Sequence, residues 1–165
     1  MADNKSDERS RTFLIALRKI IQAIDQHSVS LKKKFGLTGP QLIILQSLLA
    51  HGQLSVTQLS KNVSLSQATV TDITKRLEKK EYITRERSVD DKRKTNIALM
   101  RKGKAILDEV PPLLQEQFTD RFSRLESWEQ LMIESSFERV VSMMSADEID
   151  ASPMMIIGSV GPKVS

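Results

Sequence analysis

The residues of this chain that could do acid–base or covalent chemistry are few and scattered. Histidine occurs only at His27 and His51, and there is no cysteine. Thiolate catalysis, disulfides and thiol-based redox sensing are therefore excluded. No cluster has metal-ligand spacing, so neither a metal nor a cofactor is expected. His27 reads as a helical surface or core residue, and His51, just before Gly52, as a helix C-terminal one. No Ser-His-Asp order, phosphate-cradling glycine loop or carboxylate pair stands out, which argues against an enzyme. What the chain does concentrate is positive charge. Residues 61–104 hold thirteen Lys and Arg against six Asp and Glu. The chemistry such a stretch offers is neutralisation of a polyanion.

The flanks set that stretch apart. Residues 1–60 carry a net +4, residues 61–104 a net +7 and residues 105–165 a net −7. A basic middle beside an acidic C-terminal part fits a polyanion-binding module joined to a solvated or assembling one. Ordinary solvated helix faces would give the same charge run, so a motif must separate the two readings. With 39% hydrophobic residues and only 4% aromatic, the chain must fold around Leu, Ile, Val and Met. It has no run of about eighteen apolar residues, and MADNKSDERS is no signal peptide. The expectation is a cytoplasmic protein with no membrane partner.

The elements that must position the basic stretch follow from periodicity and caps. Residues 1–8 are polar and expected to fray. From about Arg9, Phe13, Leu14, Leu17, Ile20, Ile21 and Ile24 recur at helical spacing, and Lys32, Lys33 and Lys34 mark the helix end before Gly36. Thr38 with Gln41 makes a capping-box pattern, with Leu42, Leu45, Leu48 and Leu49 as the apolar face behind it. Gly52 ends that helix. Ser55 with Gln58 repeats the pattern, and Leu59 and Val63 give a short helix its inner face. A turn through Asn62 to Leu65 leads to Ser66, a good N-cap, and then Val70, Ile73 and Leu77 point inward. Tyr82–Arg87 and Lys94–Leu99 have strand composition, and SVDDKR between them reads as a hairpin turn. After Gly103 a helix could carry Ile106, Leu107, Val110, Leu114, Phe118 and Phe122, kinked or interrupted by Pro111 and Pro112. Trp128, Leu131, Met132, Val140, Val141 and Met144 mark a last helix, explained equally well by core packing or by an interface.

Two short capped helices joined by a tight turn make a helix-turn-helix, whose second helix buries one side and offers the other to a major groove. Gln67 can pair with adenine or bridge to phosphate. Thr69 and Thr71 can meet phosphates or a thymine methyl, and Lys75 and Arg76 can reach a phosphate or, for Arg76, guanine. Small residues from Ser66 onward allow close approach, and the helix N-terminal amides favour a phosphate. A capped surface helix would look similar. The hairpin shifts the balance, because Arg85, Arg87, Lys92, Arg93 and Lys94 gather beside the helix as a wing suited to the minor groove. Asp91 with Arg93 reads as an internal brace of the wing tip, or as an exposed ion pair of small worth.

At this point the chain resembles the multiple antibiotic resistance regulator (MarR) family of winged helix-turn-helix transcription factors. The matching stretches are LTGPQLIILQSL, LSVTQLSKNVSLSQATVTDITKRLEKKEYITRE and DDKRKTNIAL followed by Gly103, covering Leu37–Gly103. The resemblance implies a mainly α fold with a small β-hairpin wing. It implies a winged helix-turn-helix DNA-binding domain at 37–103 and a helical dimerisation region at 9–36 and 104–146. The tail, 147–165, would pack at the dimer or hang free. Ser66–Lys79 would be the recognition helix and Asp91, Lys92 and Arg93 the wing signature, with Arg93 contacting the minor groove or bracing the wing. Arg85 also stands where the family often has Arg. The expected partners are double-stranded DNA, a second copy of the chain in a homodimer and a small-molecule effector. The effector would sit in a cleft near Phe13, Leu17, Phe35, Leu45 and His51, a set that core packing also explains. The implied function is a dimeric repressor on a pseudopalindromic operator; the alternatives are a ligand-independent regulator or a helical protein-interaction module.

Three departures from the family pattern stand out. Glu81 replaces the usual Gly before the first wing strand, Met100 the usual Thr before the next helix, and the Pro111-Pro112 pair is unusual inside a long helix. They bear on local geometry and leave the proposed DNA face untouched.

Overall fold

The structure is a computed structural model and describes residues 2–87 and 95–149. Its elements run in the order α1 (Ala2–Phe35), α2 (Gly39–His51), β1 (Leu54–Ser55), α3 (Val56–Asn62), α4 (Gln67–Lys79), β2 (Ile83–Arg87), β3 (Thr95–Leu99), α5 (Arg101–Glu109), α6 (Leu114–Ser123) and α7 (Ser127–Met143). This is the mainly helical fold with a small β-sheet that the sequence implies. Two compact units meet in the chain at residue 110, one running to Val110 and the other starting at Pro111.

In the first unit α2 is the centre. Leu42, Ile44, Leu45 and Leu48 are buried, as are Gln41 and Ser47. A helix covered on nearly all sides is a core helix, not an amphipathic surface one. Leu49, expected inward, is exposed. Gln41 still does its capping work, accepting from the Thr38 amide at 3.1 Å. The remaining core includes Leu37 before α2, Leu59 of α3, Val70 and Leu77 of α4, and Ile83 and Ile97 of the sheet.

The sheet has three antiparallel strands in the order β1-β3-β2. β1 was not expected. It is two residues long and pairs Leu54 with Ile97 and Ser55 with Asn96. The hairpin pairs Ile83 with Leu99, Arg85 with Ile97 and Arg87 with Thr95. Residues 88–94 connect its strands and lie outside the described residues, and so do Asp91, Lys92, Arg93 and Lys94.

Gly103 fixes α5 against the base of the hairpin. A Cβ there would fall inside contact distance of the Tyr82 carbonyl oxygen and 2.8 Å from Leu99 Cδ1. Next to it the Met100 amide donates to the same Tyr82 carbonyl at 2.9 Å. Met100 begins α5 without a side-chain cap, as its replacement of Thr implies.

One expectation about helix extent changes, and one left between two outcomes is resolved. α1 begins at Ala2 instead of near Arg9. Of the kink or interruption expected between Ile106 and Phe122, the structure shows the interruption: α5 stops at Glu109, and α6 starts at Leu114. Pro111 and Pro112 stand in the break, where the missing amide hydrogens cost nothing. In the second unit, α6 and α7 are tied by Gln130, whose Nε2 donates to the Phe122 and Leu125 carbonyls at 3.1 and 3.0 Å. Phe118 and Phe122 stack with centroids 5.4 Å apart.

Candidate nucleic-acid interface

The helix-turn-helix is built by local hydrogen bonds. Ser55 caps α3: its Oγ accepts from the Gln58 amide at 3.3 Å, and its own amide donates to Gln58 Oε1 at 2.9 Å. The turn closes when the Leu65 amide donates to the Ser60 carbonyl at 3.1 Å. That 6→1 bond with a left-handed residue before it is a Schellman ending, and the left-handed residue is Ser64 at φ +52°. Leu65 is thereby turned into the core. Ser66 then caps α4, accepting from the Thr69 amide at 3.1 Å.

α4 buries Val70, Thr74 and Leu77. The inward stripe is thus i, i+4, i+7, with Thr74 in the place expected for Ile73, which is only half-buried. Thr74 tolerates full burial because its hydroxyl donates to the Thr71 carbonyl at 3.0 Å. Opposite this stripe the helix turns Ala68, Asp72, Lys75, Arg76 and Lys79 to solvent. Ala68 and Lys79 were not among the residues expected on this face; the i, i+4, i+7, i+11 spacing of Ala68, Asp72, Lys75 and Lys79 places them on it.

The hydroxyls are more committed than their composition suggests. Ser66 Oγ and Thr69 Oγ1 are hydrogen-bonded to each other at 2.8 Å. Thr71 Oγ1 donates to the Gln67 carbonyl at 2.7 Å. Thr71 can therefore offer a ligand its methyl group or an acceptor lone pair, not its proton. Gln67 is exposed at the helix start, and its side-chain amide has no hydrogen-bond partner among the described residues. Lys75 lies 3.9 Å from Asp72, a loose exposed pair that a phosphate can displace.

Arg85 behaves differently from the other expected contacts. Alternation along β2 puts it on the same face as buried Ile83, beneath α4. Its Nη1 is 3.3 Å from Glu78 Oε2 of α4, and its side chain is 20% exposed. Glu81 takes φ +61°, the left-handed geometry that the family's Gly adopts freely. It is held there by two turn bonds, Glu81 to the Glu78 carbonyl and Tyr82 to the Leu77 carbonyl. Its carboxylate receives Lys102 Nζ at 2.9 Å, and this bond holds its pKa below the ordinary value.

The five residues of the expected effector cleft do not converge within one protomer. Leu45 is wholly buried in the core, and Phe13 is exposed on α1. Phe13 and Phe35 stand about 33 Å apart along the axis of α1. His51 ends α2, with Nδ1 3.0 Å from the Ser47 carbonyl. Among the described residues no group of His, Asp or Glu could hold a metal ion, and no helix is long and apolar enough to cross a membrane.

These features define the class: a winged helix-turn-helix, with a capped second helix presented outward and a hairpin beside it. Comparison with known proteins gives the family. Residues 37–95 match the model of the MarR family. The chain is 30% identical over 125 residues to the helix-turn-helix-type transcriptional regulator YsmB of Bacillus subtilis, covering 76% of this chain and 86% of that protein. It is 33% identical over 108 residues to the regulator SarZ of Staphylococcus saprophyticus, covering 66% of this chain and 71% of that protein. Among solved structures, a MepR-like protein complexed with pseudoligands superposes with a TM-score of 0.57 at 26% identity, covering 83% of this chain and 94% of that one. The chain belongs to the MarR family of winged helix-turn-helix transcriptional regulators. It is a DNA-binding transcriptional regulator.

Proposed function

We propose that the chain acts as a homodimer on a pseudopalindromic double-stranded operator in the cytoplasm, most simply repressing transcription by covering a promoter. The observation that carries this reading is α4. Its core side is sealed by Val70, Thr74 and Leu77, its outer side carries Lys75, Arg76 and Lys79, and small residues stand at its capped start. In this reading Gln67 reads a base edge, Ser66, Thr69 and Thr71 border the backbone, and Lys75 and Arg76 meet phosphates. The wing residues Lys92, Arg93 and Lys94 add minor-groove or phosphate contacts, with Asp91 bracing Arg93. Dimerisation is supported by apolar side chains left exposed on the protomer. Among them are Phe13, Leu14 and Ile21 on α1, and Trp128, Leu131 and Met132 on α7. Helices 9–36 and 104–146 form the shared core in this reading, with the tail from 147 adding to it or remaining free.

The test is a mobility-shift titration against the protein's own upstream region, repeated across salt concentrations. Specific binding that weakens with salt supports the reading, because released counterions drive association. Equal weak affinity for every duplex defeats it. Light scattering at micromolar concentration must show a dimer.

Control by a small effector is the finer part of the proposal, supported by likeness to the MepR-like protein complexed with pseudoligands. An uncharged or anionic molecule would release DNA only by binding the DNA-free geometry more tightly. A hundredfold preference corresponds to about 2.7 kcal/mol of coupling. Because Phe13 and Phe35 lie far apart on α1, Phe13, Leu17, Phe35, Leu45 and His51 can serve such a molecule only in smaller groups or across two protomers. Operator affinity across a metabolite panel, paired with calorimetry, tests this. Ligands that bind without moving operator affinity count against it.

A further inference from the structure

Arg85 has the composition of a DNA contact and the surroundings of a strut. It lies on the inner face of β2, level with Ile97 at the centre of the sheet. Ile97 and neighbouring Ile83 are buried. Its guanidinium reaches Glu78 Oε2 at 3.3 Å, across from one element to another. Its Nε is buried and meets no partner among the described residues. A guanidinium binds a phosphate best by offering its planar fork, two N–H groups at once. Here the Nε edge is closed off and an Nη faces a carboxylate. Glu78 is on the last full turn of α4, between Leu77, which is buried, and Lys79, which is exposed.

We propose that Arg85 is a positioning residue, locking the wing to the recognition helix through Glu78, and that it does not itself grip the DNA backbone. This rests on the reading of α4 and the wing as the DNA-binding surface. The reasoning is geometric. A wing and a recognition helix can engage one duplex together only if the angle between them suits adjacent grooves. Between α4 and β2 the chain passes through Lys80, Glu81 and Tyr82, with Glu81 in the left-handed region, so the backbone turns sharply there. The Glu78–Arg85 pair spans that turn and holds the strand against the helix. Without it the wing samples further orientations, and apparent affinity falls in proportion to the competent fraction.

The two roles predict opposite effects at Glu78. If Arg85 were a phosphate contact, Glu78 would be its competitor, and Glu78→Ala would free the arginine and tighten binding. As a strut, Glu78→Ala weakens binding even though it removes a negative charge. The experiment uses the full chain and a duplex that the wild-type chain selects from a random-sequence library. Affinities of wild type, Glu78→Ala, Arg85→Gln, Arg85→Lys and the double variant Glu78→Ala/Arg85→Gln are measured across salt. Each single variant is expected to weaken binding about fivefold, the competent fraction falling to about one fifth. The double variant is expected to lose no more than the worse single, since both break one link. Plots of log affinity against log salt should stay parallel to wild type. Loss of a phosphate contact would instead make the slope shallower by about 0.9. Arg85→Lys keeps the charge and loses the planar fork, so it should behave like Arg85→Gln.

Glu78 is exposed enough for its alanine variant to fold, and a thermal melt matching wild type confirms this. Tighter or unchanged binding by Glu78→Ala, or a shallower slope for Arg85→Gln, overturns the proposal. If the wild-type chain selects no duplex, the DNA-binding reading fails first, and the strut with it.

Discussion

Gly103→Ala gives a sharp stability test of how the wing is anchored. On propensity alone the change helps, since alanine in a helix interior is favoured over glycine by about 1 kcal/mol. The packing says otherwise. The new methyl would stand 2.8 Å from Leu99 Cδ1 and 3.0 Å from the Tyr82 carbonyl carbon. Carbon atoms rest at roughly 3.5–4.0 Å, and the methyl falls closer still to the Tyr82 carbonyl oxygen, so α5 must retreat by about 1 Å. Leu99 can adjust its rotamer, but the Tyr82 carbonyl is backbone. That carbonyl also holds the Met100 amide, so a retreat of α5 strains this bond as well. Overpacking of a closed site costs about 1–3 kcal/mol, which offsets the propensity gain and leaves a net loss of up to about 2 kcal/mol. Urea denaturation of both chains reads it as a lower midpoint at an unchanged slope. A rise in stability of about 1 kcal/mol would refute the reasoning, because it would mean the helix yields at no cost.

Four further outcomes follow from other parts of the structure. Ser64→Gly should raise stability by about 0.5–1 kcal/mol in the same denaturation assay, because Ser64 holds a left-handed φ that glycine adopts without strain. Ser66→Ala removes the cap of α4 and should cost about 1 kcal/mol, together with some affinity for a selected duplex. Lys75→Ala combined with Arg76→Ala should lower DNA affinity almost equally for all sequences and reduce the salt slope by about 1.8, two phosphate contacts' worth. Glu81 has its pKa lowered by Lys102, so its contribution is present above the ordinary value of 4.5 and is lost as pH falls through the depressed one. Acid titrations of wild type and Glu81→Gln should therefore diverge above 4.5 and converge at lower pH, by a small margin at so exposed a group.

How much of this was legible in the sequence depends on whether the determinant was local. The caps were. Thr38 with Gln41, Ser55 with Gln58 and the N-cap Ser66 each act over three residues, and each is made. The break at Pro111-Pro112 was legible for the same reason. β1 was not, because two residues carry no alternation and Leu54 becomes a strand only through Ile97, far along the chain. Ile73 looked like the inward residue because it is apolar, whereas the helix geometry chose Thr74 and satisfied its hydroxyl internally. Arg85 was readable as inward-facing, two residues from Ile83, but its charge suggested DNA instead. Trp128, Leu131 and Met132 read equally as core or interface. On the protomer they are exposed, Trp128 by 64%. The separation of Phe13 from Phe35 along α1 was implicit in their numbering and was hidden by grouping apolar residues as one cleft.

The most direct measurement of the central claim is selection of duplexes from a random-sequence library by the full chain, followed by footprinting of the winners. Two copies of α4 in successive major grooves require two inverted half-sites about 10 base pairs apart, centre to centre. The account predicts enrichment of such a repeat, protected on one face of the duplex and lost when Gln67, Lys75 and Arg76 are replaced together by alanine. Failure to enrich any sequence, or enrichment of a lone half-site bound by a single chain, would contradict it.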